Sequence, residues 1–211
     1  MHRIRAFPLS TTVPMLALLG LGFGPGATLT SAALAQGQGE FVVEKIAEKP
    51  LAALPDGEIF WTIETFDALD AAEAAVGATS IAAEIDGKAW LFTLGPEDAV
   101  GHGGQLVASV GPIQRFDAGS YKLQINAPKA PPGAMTTQHS HPGSEVLFVL
   151  DGEATVQWPD STDVLTAGQF GPGQPPHTPM QVTSTGDTDL SGIVMFVVDA
   201  DQEFARPETL H

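Results

Sequence analysis

Gly133-Ala-Met-Thr-Thr-Gln-His139-Ser-His141-Pro-Gly-Ser-Glu145 is the stretch that decides how this chain is read. Two histidines stand two apart, and a carboxylate follows four residues after the second. Side chains on a β-strand repeat every two residues, so His139 and His141 share one face. Pro142-Gly143-Ser144 is turn chemistry that returns Glu145 to their side. Two imidazoles and a carboxylate converging on one face are ligands for a transition metal. The chain has no Cys, which excludes thiolate chemistry and Cys-ligated zinc.

Strands surround this run. Glu145 to Leu150 is an apolar run closed by Asp151-Gly152, and Ala154, Val156 and Trp158 alternate after that turn. Before the run, Tyr121, Leu123 and Ile125 alternate with Lys122, Gln124 and Asn126. Ser191 to Val198 is strongly β-prone. Short strands with a turn signal about every ten residues predict an antiparallel barrel or sandwich. Upstream, Glu58 to Phe66 reads as a strand, and Asp67 to Gly77 as the one short helix. Asp67 is its expected N-cap and Gly77 its stop. Asp86-Gly87 between the apolar runs 80–85 and 88–93 predicts a hairpin with a type I′ turn. Gly95 to Gly104 is a polar loop in which His102 is expected to be solvated. Residues 36–56 read as an extended arm, punctuated by Pro50 and Pro55.

The chain opens with a basic start (His2, Arg3, Arg5), an apolar stretch from Met15 to Phe23, and small residues ending at Ala35. That order is the pattern of a secretory signal cleaved after Ala35. The apolar run is too short to span ~30 Å of hydrocarbon, and Gly24-Pro25-Gly26 interrupts it. The expected localisation is periplasmic or secreted, with no membrane contact after cleavage. Residues 1–35 carry two of the nine Lys+Arg and none of the 25 Asp+Glu, so cleavage takes the formal net charge from −16 to −18. Nucleic acid and anionic membranes are excluded as partners for so acidic a chain. The remaining length suits one domain that buries roughly 70% of its unfolded surface.

The quoted run resembles the first motif of the cupin superfamily. That motif is a glycine, five residues, His-x-His, three or four residues, a glutamate, six residues and a glycine. It falls on Gly133, His139, His141, Glu145 and Gly152 with every spacing met. The family's second motif is matched only by Pro172 and His177; Gln174 stands where its glycine belongs, and Gln181 where its asparagine belongs. Apart from the terminal His211, His177 is the only histidine after the first motif. The resemblance is to a single-domain, exported, bacterial-type cupin. It implies an all-β fold with one short helix, a jelly-roll β-barrel bearing an N-terminal α+β extension.

The expected organisation is a signal peptide at 1–35, an extension packing on the barrel at 36–112, the cupin barrel at 113–200 and a C-terminal tail at 201–211. The implied ligand set is three histidines and one glutamate: His139, His141, Glu145 and His177. Nitrogen and oxygen donors of this kind accept Mn, Fe, Ni, Cu or Zn. Gln138 and Gln181 are candidates to orient imidazoles, and Met180 to lie near the metal, although plain strand and core roles suit all three. The resemblance implies either a metal-dependent oxidoreductase of dioxygenase type on a small organic molecule, or a non-catalytic module binding a small ligand or metal. A homodimer is expected from the family.

Overall fold

The computed structural model describes residues 39–210 apart from residues 98 and 100. The signal-peptide reading of residues 1–35 lies outside these described residues. The strands β1 (Val42–Leu51) and β2 (Ile59–Phe66) lead into a short helix, α1 (Leu69–Ala74). Then come β3 (Ser80–Ile85), β4 (Lys88–Gly95), β5 (Gln105–Ile113) and β6 (Tyr121–Ala130). The quoted run forms β7 (His139–Ser140) and the start of β8 (Gly143–Asp151). The rest is β9 (Glu153–Gln157), β10 (Thr162–Thr166), β11 (Gln181–Ser184), β12 (Leu190–Asp199) and β13 (Arg206–Pro207).

Three sheets stack around two cores. The central sheet runs β1-β6-β12-β8, every pair antiparallel. A second sheet, β3-β4-β2-β5, lies on one of its faces, and a third, β10-β9-β11, lies towards the other. Alternate residues of each central strand serve different layers. Leu123 and Ile125 of β6, Val146 and Phe148 of β8, and Met195 and Val197 of β12 enter the core shared with Trp61, Trp90 and Phe92. Leu147 and Val149 point the other way, into a core with Val156, Trp158 and Val182. Double-sided burial explains why 146–150 and 193–198 read as continuous apolar runs rather than as alternation.

The expected hairpin holds for a clear reason, and the expected helix holds only in part. Asp86 (φ 49°) and Gly87 (φ 72°) both adopt the left-handed conformation that a type I′ turn needs. The β3–β4 register runs from Ser80 opposite Thr93 to Ile85 opposite Lys88. The helix is shorter than expected, and its N-cap is Ala68, with no side-chain capping bond. Asp67 therefore stands one residue too early to cap it, and only Ala72 of the helix is buried. With so little apolar contact, nothing extends the helix beyond its six residues.

Two other segments make contacts that the sequence did not reveal. The extended arm carries a strand at 42–51, which pairs with β6 from Val42 opposite Lys129 to Leu51 opposite Tyr121. His102 is an exposed loop residue, as expected, but it is also tied to a buried carboxylate. Its backbone N–H donates to both carboxylate oxygens of Glu64, at 2.9 and 3.0 Å, and its Nδ1 lies 3.0 Å from Glu64 Oε2. Gly104 N–H adds a bond of 3.2 Å. Glu64 sits in β2 and is only 1% exposed, so these donors replace the water its carboxylate has lost. They also tie the 101–104 loop to the second sheet.

Candidate functional site

β7 is only two residues long, yet it is gripped on both sides. His139 exchanges backbone bonds with Met180, N–H to O at 3.0 Å and 2.8 Å in return. On its other edge, Ser140 and His139 pair with Arg206 and Pro207 of β13. The side-chain period of two then places both imidazoles together, with ring centroids 4.9 Å apart and edge to face. Pro142 has no N–H and ends the strand, its carbonyl taking the Asp199 N–H at 2.9 Å. β8 begins at Gly143, where it passes hard against β12. A Cβ there would collide with the Val197 carbonyl and the Val198 Cα, so only glycine fits. The turn expected at Pro142-Gly143-Ser144 does not form: β7 and β8 run on in one direction, antiparallel to residues 170–180 on one side and to β13 and β12 on the other. The strand period of two therefore keeps Glu145 on the face of the histidines, with Glu145 Oε2 3.3 Å from His141 Nε2.

The tautomers of the two histidines follow from their partners. His139 Nδ1 lies 2.7 Å from the Thr137 carbonyl, and His141 Nδ1 lies 2.7 Å from the Phe204 carbonyl. A carbonyl oxygen only accepts, so each Nδ1 carries the proton and donates it. Each neutral ring is left with its lone pair on Nε2, the arrangement that carbonyl partners impose on metal-ligating histidines. Burial supports neutrality. His141 is 7% exposed, and loss of water pushes its pKa down to about 4, the Phe204 carbonyl pulling the other way. Glu145 is 6% exposed, and loss of water pushes its carboxyl up to about 8. At neutral pH His141 is therefore the neutral Nδ1–H imidazole and Glu145 the neutral acid, and the pair has no net charge.

The structure brings together His139, His141 and Glu145, which line one cavity of about 740 Å³. It does not bring His177 to them. His177 is exposed, sits after Pro175-Pro176 with φ 62°, and is not among the cavity's lining residues. Its backbone N–H donates to the His141 carbonyl at 2.7 Å, so it supports the run by its main chain. Its ring instead lies near enough to Asp199 to contribute to lowering that carboxyl, behind the Gln202 amide and the Asp201 N–H. Among the described residues, no three His, Asp or Glu side chains are gathered closely enough to hold an ion. The donors nevertheless suit a metal in kind, and His141 Nε2 and Glu145 Oε2 suit it in spacing. Two donors at about 2.1 Å from a tetrahedral ion lie ~3.4 Å apart.

The polar face of β6 also belongs to the site. Asn126 lines the cavity, and Gln124 Nε2 donates to Asn126 Oδ1 at 2.9 Å. Both are buried, because the face that alternation leaves polar is turned to a cavity rather than to solvent. Gln138 and Gln181 do not orient the imidazoles. Gln138 accepts the N–H of Glu208 on its carbonyl and that of Leu210 on its side chain, each at 3.0 Å, while Gln181 Nε2 donates to the Thr136 carbonyl. Met180 is buried and does line the cavity.

The largest omission from the sequence reading is the C-terminal segment. Beyond the β13–β7 pairing, Ser140 Oγ donates to Glu208 Oε1 at 2.8 Å. Phe204 supplies the carbonyl that fixes His141, and its ring lies 4.7 Å from His141 and 5.0 Å from Phe196. Phe204, Arg206 and Pro207 all line the cavity. The segment is thus a wall of the site. Its only sequence signal is a single aromatic residue, Phe204, in a polar stretch.

Residues 129–196 match the family model of the cupin domain. That segment is thus a cupin domain, and the mostly-β architecture around it, with one short helix, agrees with the expected jelly roll. No curated protein matches the chain. Among solved structures it is similar to the DMSP lyase DddQ of Ruegeria pomeroyi, at 22% identity and a TM-score of 0.37, over 42% of this chain and 44% of that one. A cupin-like protein of Thermotoga maritima is similar at 21% identity and 0.37, over 48% of this chain and 86% of that one. A cupin 2 domain-containing protein of Halorhodospira halophila is similar at 25% identity and 0.36, over 41% of this chain and 59% of that one. The matched region is less than half the length of the lyase.

Proposed function

We propose that this cupin binds a divalent transition metal through His139, His141 and Glu145, beside a cavity that takes a small organic molecule. The observation that carries this is the matched pair of imidazoles, each with Nδ1–H spent on a carbonyl and Nε2 left as a donor. The buried Glu145 is neutral without a cation and would supply a negative charge once a cation displaced its proton. Mn, Fe, Ni, Cu and Zn all suit this donor set. His177 belongs to the family's ligand set, but its exposed position favours three ligands here over four. When bound, such an ion supplies a Lewis acid or a redox centre with open positions. Glu145 would hold such an ion as the carboxylate, His139 and His141 would offer Nε2 in the tautomers they already have, and the apolar walls would exclude water from the bound molecule.

An oxidoreductase of dioxygenase type is the activity we assign to that arrangement. Elemental analysis of the purified protein, before and after loading with each metal, tests the centre. Wild type should retain about one equivalent, His141→Ala and Glu145→Gln little, and His177→Ala as much as wild type. Loss of metal in His177→Ala would restore the four-ligand set. Oxygen uptake by loaded protein with phenolic, flavonol and diketone substrates tests the chemistry. The exposed His177 also favours a second reading, a non-catalytic ligand-binding or metal-binding cupin. Thermal stabilisation by metal with no oxygen uptake would select it.

Export with cleavage after Ala35 and assembly as a homodimer belong to the same proposal. N-terminal sequencing of the protein from its compartment and light scattering in solution test them.

A further inference from the structure

We propose that Arg206 sets the class of molecule this cavity accepts: a compact apolar body carrying one carboxylate. The inference rests on reading the cavity as a small-molecule site, and it does not depend on the metal. At about 740 Å³ the cavity has the size of a drug-like ligand's pocket. Phe41, Leu147, Met180, Val194, Phe196 and Phe204 give it apolar walls. Against that background, Arg206 is the one Lys or Arg among the lining residues.

Lys49, Lys88 and Arg115 share with Arg206 the lack of an ion pair among the described residues, but none of them lines this cavity, and the remaining described cations are paired. Lys45 and Lys122 are paired with Glu48, and Lys129 with Asp86. Arg206 makes no ion pair among the described residues. Its Nη2 donates to Gln202 Oε1 at 3.0 Å, a neutral acceptor that orients the guanidinium without neutralising it. In a chain with 25 Asp+Glu against nine Lys+Arg, a guanidinium left without a carboxylate at a cavity wall is open to one from solution. Glu40 is the other lining carboxyl besides Glu145, and it is not ion-paired with Arg206.

Position completes the argument. Arg206 is held opposite Ser140 in the β13–β7 pair, so its backbone is fixed beside the two histidines. A planar guanidinium takes a carboxylate through two parallel N–H bonds, and a lysine or a neutral amide does not. A ligand anchored at Arg206 lays its apolar part along Phe204 and Phe196, with its far end towards His141 and Glu145.

The test uses 2-naphthoate, its neutral analogue 2-naphthamide and the cation 2-naphthylmethylammonium as probes. Titration calorimetry is run on EDTA-treated protein, so that no metal can hold the carboxylate. Wild type should prefer naphthoate over the amide by about fivefold, the scale of an exposed charge pair strengthened by bidentate geometry. The ammonium should bind more weakly than either. Arg206→Gln should abolish the preference while keeping the affinity for the amide, and Arg206→Lys should keep part of it. Unchanged melting of Arg206→Gln separates lost recognition from lost folding. Equal affinity for naphthoate and amide in wild type, a preference that survives in Arg206→Gln, or no binding of any probe would overturn the proposal. Metal content measured on the same samples keeps the two readings apart. A naphthoate preference without metal uptake defeats the metal centre alone, and metal uptake without the preference defeats this inference alone.

Discussion

Replacing Glu145 by Gln should change how the metal-free protein responds to pH. Burial raises the Glu145 carboxyl from 4.5 to about 8 and lowers His141 from 6.5 to about 4. Between pH 4.5 and 8 the folded protein holds a proton on Glu145 that the unfolded chain has released, so this group's contribution is full below pH 4.5 and is lost as pH rises towards 8. His141 acts oppositely: between pH 4 and 6.5 the unfolded chain holds the extra proton, and stability rises with pH. The two slopes cancel between pH 4.5 and 6.5. Above pH 6.5 His141 is neutral in both states, and Glu145 acts alone. The slope there is about 1.4 kcal/mol per pH unit, or ~2 kcal/mol by pH 8. For a domain of this length that is about 4–8 °C in Tm. Thermal unfolding of EDTA-treated wild type should therefore fall relative to Glu145→Gln by this amount from about pH 6.5 to pH 8. Added Zn should restore wild type at pH 8, where the carboxylate forms readily, and should leave the variant unmoved. Parallel pH profiles for the two proteins would refute the assignment of a buried, protonated Glu145.

Deleting the chain from Glu203 onward removes the acceptor of His141 Nδ1 and the β13–β7 pair; metal affinity should fall by about 10–100-fold, read by competition with a chelating dye. Phe204→Ala, which keeps the carbonyl, should lose less metal affinity than the deletion while opening the cavity wall. Gly143→Ala forces a Cβ into the Val197 carbonyl and should prevent soluble folding or lower stability by about 3 kcal/mol or more, seen in urea unfolding. Glu64→Gln turns an amide N–H towards the donors of His102 and Gly104; about 1–3 kcal/mol of local stability should go, and hydrogen exchange at those two amides should quicken first.

Much of the architecture was legible because it rests on local rules. Strand periodicity, the Asp86-Gly87 turn and the His139-Ser140-His141 spacing each depend on a few adjacent residues, and each appears in the fold. The nearness of His141 and Glu145 was legible, but for another reason than the expected turn: the chain runs on through Pro142-Gly143, and the strand period puts both side chains on one face. His177 was not: whether its ring turns in or out depends on the backbone of a proline-rich loop, where φ 62° directs it away from the cavity. The tie of His102 to a carboxylate was missed for a similar reason, because its partner lies 38 residues away on β2.

By itself the sequence determined an acidic, cysteine-free, strand-rich chain with two imidazoles and a carboxylate in a cupin motif. Side-chain period, turn residues and charge are properties of short segments, so no tertiary knowledge is needed to read them. Only the tertiary structure decided which groups surround that motif. It turned the polar face of β6 into a cavity wall, set His177 outside and brought Phe204 and Arg206 in from the C-terminal segment. Those contacts join residues more than 60 positions apart. They depend on how three sheets stack, which no local pattern encodes.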